Sequence, residues 1–80
     1  MKNEQDIFTP IKEYKGFIVT ESKYVSHHWF NYLAFEAKNN VGQKIGTIFH
    51  DIDTRIMTYN ELLNLFLKKV DYFIKEINYE

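Results

Sequence analysis

Eighty residues make one small domain, with room for a single core and no second one. The formal net charge is −1, and basic and acidic residues are well mixed along the chain, so composition excludes both a polybasic nucleic-acid binder and an acidic mimic of DNA. There is no cysteine, hence no disulfide and no thiolate metal site.

Hydrophobic content of 45% suits a folded domain. No apolar run approaches the roughly 20 residues of a membrane-spanning helix, and residues 1–6 lack the apolar core of a signal peptide. The expectation is a cytoplasmic protein with no membrane contact. Lys outnumbers Arg nine to one, and Asn, Ile, Tyr and Phe are abundant. Their codons are AT-rich, which points to a low-GC bacterium or one of its phages.

Residues 1–13 are polar, with Ile7, Phe8 and Ile11 scattered among them. They read as an N-terminal arm, either loose or lying across the domain as a cover, with Thr9-Pro10 able to open a short turn. Tyr14 to Glu21 is β-branched and aromatic and reads as the first strand. Residues 22–28 connect it to a second strand, Trp29 to Lys38. The turn Asn39-Asn40-Val41-Gly42 offers the residues that tolerate positive φ, so the third strand, Gln43 to His50, is expected to pair antiparallel with the second.

Asp51 to Met57 reads as a loop. Thr58-Tyr59-Asn60-Glu61 then fits a capping box, with Thr58 as N-cap and Glu61 reaching back. Beyond it Leu62, Leu63, Phe66, Leu67, Val70, Phe73, Ile74 and Ile77 fall on one arc at 100° per residue. The spacing predicts a helix of about 20 residues. The expected fold is α+β: a three-stranded antiparallel meander over residues 14–80, with one C-terminal amphipathic helix packed on one face.

One Trp, six Tyr and seven Phe are many for one helix to cover. Alternate residues of a strand face opposite ways. In the second strand Trp29, Leu33, Phe35 and Ala37 make the better core face, leaving Phe30 and Tyr32 outside. In the first, Phe17 and Val19 share a face with Lys15 and Glu21, which turns that face outward. On the helix, Leu65 and Tyr72 lie outside the main arc. Phe17, Val19, Phe30, Tyr32, Leu65 and Tyr72 are therefore the candidate partner-binding residues. A competing reading folds residues 1–13 or 51–57 over the outer face, using Ile7, Phe8, Ile11, Ile52, Ile56 and Met57. The two edges of a three-stranded sheet also invite strand addition by a partner or a second copy.

Catalytic chemistry has little to work with. Ser occurs only at 22 and 26, and Ser26 beside His27 has no oxyanion site around it. Gly16, Gly42 and Gly46 are too dispersed to cradle a phosphate. His27-His28 and His50-Asp51-x-Asp53 are the metal-like groups, but neighbouring strand histidines point to opposite faces, and solvated histidines with Asp51 and Asp53 in turn roles are the better reading. No enzyme, cofactor or metal is expected.

The function expected is non-enzymatic protein binding. One concrete form is a phage or mobile-element accessory protein that inhibits a host defence protein by occupying its surface. The alternative is a small nucleic-acid-binding domain whose sheet face stacks bases, with Lys15, Lys38 and Lys44 near phosphates. A homodimer through an edge strand or the outer face is compatible with either.

Overall fold

The structure, a computed structural model, describes residues 8–26 and 29–78, with the main chain alone at 24–26, 29–31 and 78. The element order is β1 (Thr9–Tyr14), β2 (Phe17–Ser26), β3 (Trp29–Lys38), β4 (Lys44–His50), α1 (Asp51–Ile56) and α2 (Tyr59–Asn78). All four strands pair antiparallel in the order β1-β2-β3-β4. The class is α+β with a C-terminal helix, as expected. The sheet has four strands, not three.

The extra strand lies within the expected arm. Its polar pattern conceals it because the register slips between Pro10 and Lys12, so that Ile11 has no partner in β2. This bulge lets Ile11 and Tyr14, three residues apart, both pack against the core. A strand read by strict alternation cannot do that. The expected first strand, 14–21, therefore spans the end of β1, a turn and the start of β2.

That turn is Lys15-Gly16, with φ of 51° and 87°. Two consecutive positive values match the twist of a tight hairpin. A Cβ built on Gly16 meets nothing within 4 Å, so the cost of a side chain there is backbone strain alone. Gly16→Ala is expected to destabilise by about 1–2 kcal/mol, or roughly 4–16 °C of melting temperature at this size, measured by thermal unfolding.

The second hairpin follows the sequence reading closely. The Asn39 side-chain oxygen accepts from the N–H of Gln43 at 2.9 Å and of Val41 at 3.2 Å, and Gly42 takes φ of 90°. These bonds replace the ladder at the chain reversal.

Residues 51–56 form a helix rather than a loop. The Asp53 carboxylate accepts the His50 N–H, Thr54 donates to the Asp51 carbonyl, and Arg55 lies 3.6 Å from Asp51 one turn back. Short polar side chains thus hold a helix too brief to show periodicity. At α2 the capping box is present in both directions: Glu61 N–H to Thr58 Oγ1 at 3.1 Å, and Thr58 N–H to Glu61 Oε1 at 2.8 Å.

The core is one layer between sheet and α2. Phe17, Val19, Leu33, Phe35, Ala37 and Ile45 meet Leu62, Phe66, Leu67 and Val70, all buried. Phe35 is its centre, stacked on Phe66 at 5.6 Å and edge-on to Tyr59 and Phe49 at 5.9 and 6.3 Å.

Candidate interaction surface

The core assignment fixes the opposite face. Leu33, Phe35 and Ala37 point inward from β3, so Tyr32, Ala34, Glu36 and Lys38 point outward. The register then aligns the outer face in rows across the sheet. Ile18 lies opposite Lys38, and Lys38 opposite Lys44. Thr20 is opposite Glu36, and Glu36 opposite Gly46. Ser22 is opposite Ala34, and Ala34 opposite Ile48. Tyr32 is opposite His50.

The long helix α2 packs on the other face and does not cover this one. Ile48 is 58% exposed and Ile18 46%. Between them the floor is small or low: Ala34 and Ser22 are buried, and Gly46 has no side chain. The result is an open groove of about 540 Å³ bordered by Phe8, Tyr32, Ala34, Gly46, Ile48 and His50. A second, more polar groove of about 660 Å³ runs past Ile18, Glu13, Thr20 and Lys38. Phe8 and Glu36 border both. One half of the face is thus apolar and the other carries mixed charge.

The candidate partner residues separate. Phe17 and Val19 are corrected: they are core, 3% and 0% exposed. Their charged neighbours misled the face assignment. Lys15 sits in the turn, where strand alternation does not apply, and Glu21 lies on the core face opposite Phe35 and accepts a hydrogen bond from Tyr59 of α2. The exposed residue between them is Ile18. Tyr32 is half-buried on the outer face. The side chain of Phe30 lies outside the described residues. Leu65 and Tyr72 are 43% and 66% exposed on α2, the helix that packs on the sheet face opposite the grooves.

Of the suggested covers, Ile11 and Met57 pack against the core, and Phe8 borders the outer grooves. Ile52 and Ile56 stay exposed on α1, and Ile7 lies outside the described residues. Ile48 and Phe8 were not among the candidate partner residues. The signal for Ile48 was the parity of Ile45 and Phe49 opposite the β3 core face, legible only once the register was known.

The three candidate lysines do not converge. Lys38 and Lys44 stand directly opposite each other, and Lys44 turns to Glu36 at 3.6 Å. Lys15 belongs to a separate cluster joining the first hairpin to α2. Its ammonium donates to Asp71 at 2.8 Å, and Tyr14 OH lies 2.9 and 3.0 Å from the two carboxylate oxygens. Lys12 and Lys15 both flank the Tyr14 ring, 5.7 and 5.3 Å from its centroid.

These contacts set a pH window. Hydrogen bonds from Lys15 and then Tyr14 hold the Asp71 carboxyl below its usual 3.8. The hydrogen bond to Asp71 holds the Lys15 ammonium above 10.5. The Asp71 contribution is present above pH 3.8 and is lost as pH falls through its depressed value. The Lys15 contribution is present below pH 10.5 and is lost as pH rises through its raised value. Tyr59 is pushed up to about 12 by burial and by its bond to Glu21, so its contribution is present below pH 10 and fades toward pH 12. The melting-temperature difference between wild type and Asp71→Asn is expected to be flat from about pH 5 to 9 and to shrink at both extremes. Thermal scans across pH measure it, and a difference that persists unchanged at pH 2 would contradict the clasp.

Around His50, the two aspartates serve α1, as the helix-start contacts above show. His27 and His28 lie outside the described residues. Among the described residues no group of three His, Cys, Asp or Glu is placed to hold a metal ion. No helix among them is long and apolar enough to cross a membrane.

No protein-family model, curated protein or solved structure matches this chain. The surface itself is therefore the ground for a functional reading.

Proposed function

We propose that this is a non-enzymatic protein-binding domain that works through the outer face of its sheet. The observation that carries the reading is the contiguous apolar half of that face, where Ile48, Tyr32 and Phe8 border one groove over the buried floor of Ala34. Single exposed apolar residues are ordinary, whereas a contiguous patch beside a groove is the usual mark of an interface. Aromatic and branched side chains on a sheet are held rigidly, so ordering them on binding costs little. Inhibition of a host defence protein by a phage or mobile-element product is one form this activity takes; small size and AT-rich composition are its motives.

Nucleic-acid binding is the second reading. It is favoured by Tyr32, Lys38 and Lys44 lying on one face. Against it, Lys44 and Lys15 are paired with Glu36 and Asp71, and Glu13 and Glu36 add negative charge to the grooves. Phosphate binding draws its strength from unpaired cations.

A tagged pull-down from a low-GC bacterial lysate, with and without nuclease, separates the two. Protein recovered under both conditions, and lost with Ile48→Glu while the circular dichroism spectrum is unchanged, is the expected result. Recovery that requires nucleic acid, and falls linearly with the logarithm of salt concentration, would replace the first reading with the second.

A further inference from the structure

We infer that Phe8 is a built-in cover of the apolar groove: its ring lies across the outer face of the sheet where a partner's side chain would sit, and a partner that uses the groove must displace it. The inference rests on the reading of that groove as a binding site and adds how access to it is controlled.

The bulge in β1 puts the ring there. Lys12 pairs with Val19, a core position of β2, so strict alternation back from Lys12 would turn Phe8 toward the core. The register slip reverses the parity. Ile11 goes to the core, and Pro10 pairs with Thr20 on the outer face. Phe8, two residues before Pro10, returns to that outer face. One extra residue thus supplies an apolar side chain to each side of the sheet.

From the edge of the sheet the side chain reaches inward. Every other described residue bordering the apolar groove belongs to β3 or β4. β3 lies two strand spacings from β1, about 10 Å, so the Phe8 side chain spans β2 to form its wall of the groove. What lies on that path is small. Ser22 of β2 and Ala34 of β3 are 4% and 5% exposed, although α2 packs on the opposite face. A ring laid over them accounts for their burial. Phe8 itself is half-buried, with one side of the ring on the sheet and the other toward solvent.

This hold is exchangeable. A phenyl ring is kept in place by apolar contact, which another apolar side chain of similar size satisfies equally. The strand that carries it is an edge strand, its Pro10 has no N–H, and its register slips beside that proline. Displacing the ring therefore breaks few ladder bonds. A partner binds only the fraction of molecules in which the ring is out, and its apparent affinity is lowered by that fraction.

Proton NMR of the full wild-type chain is the first arm of the test. The Phe8 ring should give nuclear Overhauser contacts to the Ala34 methyl group, and its ring current should shift that methyl upfield. Absence of contact between Phe8 and Ala34 would overturn the inference. The second arm titrates the full chain with the apolar dye anilinonaphthalene sulfonate, followed by fluorescence, with circular dichroism as the check on folding. Phe8→Ala should bind the dye several-fold more tightly than wild type, and Phe8→Leu, which keeps an apolar cover, should fall between them. Adding Ile48→Glu to Phe8→Ala should cancel the gain, which places the dye in this groove rather than on exposed Leu65 or Tyr72. Equal dye affinity of wild type and a folded Phe8→Ala, or a gain that Ile48→Glu leaves intact, would overturn the inference. Neither arm needs a partner. Both arms positive with no protein captured from lysate would leave the cover standing and refute the protein-binding reading. Capture of a protein that Ile48→Glu loses, with no contact between Phe8 and Ala34, would refute the cover and leave that reading standing.

Discussion

Phe35→Ala is expected to remove a large share of the stability of the domain. Phe35 is 1% exposed and touches the rings of Phe66, Tyr59 and Phe49, which come from α2, the entry to α2 and β4. Truncation leaves a cavity bounded by α2 and β4, each fixed by other contacts, so collapse is limited. Such changes cost about 3–5 kcal/mol. A chain of 80 residues has roughly 4–12 kcal/mol in total. Urea unfolding should show a midpoint lowered by roughly a quarter or more, or no folded baseline. Phe35→Leu keeps most of the volume and should lose far less. An alanine variant within 1 kcal/mol of wild type would mean that Phe35 is not the centre of the core.

The second large effect contrasts neighbours. Val19→Asp is expected to unfold the domain, and Ile18→Asp to leave it folded. Val19 is fully buried between β2 and the helix layer, and a carboxyl there must enter the core uncompensated or stay protonated, at a cost of several kcal/mol. Ile18 is 46% exposed on the opposite face, where the new carboxylate remains in water beside Lys38. Circular dichroism and thermal unfolding of the pair decide it. Equal tolerance of both changes would reverse the face assignment of β2 and return Phe17 and Val19 to the surface. In the sheet the new carboxylate stands between Glu13 of β1 and Lys38 of β3, one charge of each sign, so the pairing itself changes little.

The places where sequence reasoning failed share one cause. Periodicity identifies an element only when all its residues obey one period. β1 breaks its own alternation with a bulge, and Lys15 occupies a turn that a run of strand-like residues conceals. α1 spans six residues and buries none of them, so it has no apolar face to detect. Glu21, read as a solvent marker, is instead a hydrogen-bond acceptor for Tyr59. Glu21 is engaged by a partner distant in the chain, and there polarity ceased to report exposure.

The elements that depend on local chemistry alone were determined by the sequence. Thr58 and Glu61 satisfy each other within one turn, the 3.6-residue arc of α2 needs no partner to be visible, and Asn39 with Gly42 closes its hairpin through bonds four residues apart or fewer. The β3 core face was legible for the same reason, as Leu33, Phe35 and Ala37 keep strict alternation. Only the tertiary structure decided that β1 joins the sheet, that Phe17 and Val19 lie beneath α2, and that Ile48, Tyr32 and Phe8 meet at one groove. Those facts depend on strand register, which is set by the sum of many weak cross-strand contacts and by a one-residue bulge. A shift of one residue turns every side chain of a strand to the other face, so the surface available for binding is a property of the assembled sheet rather than of any segment in it.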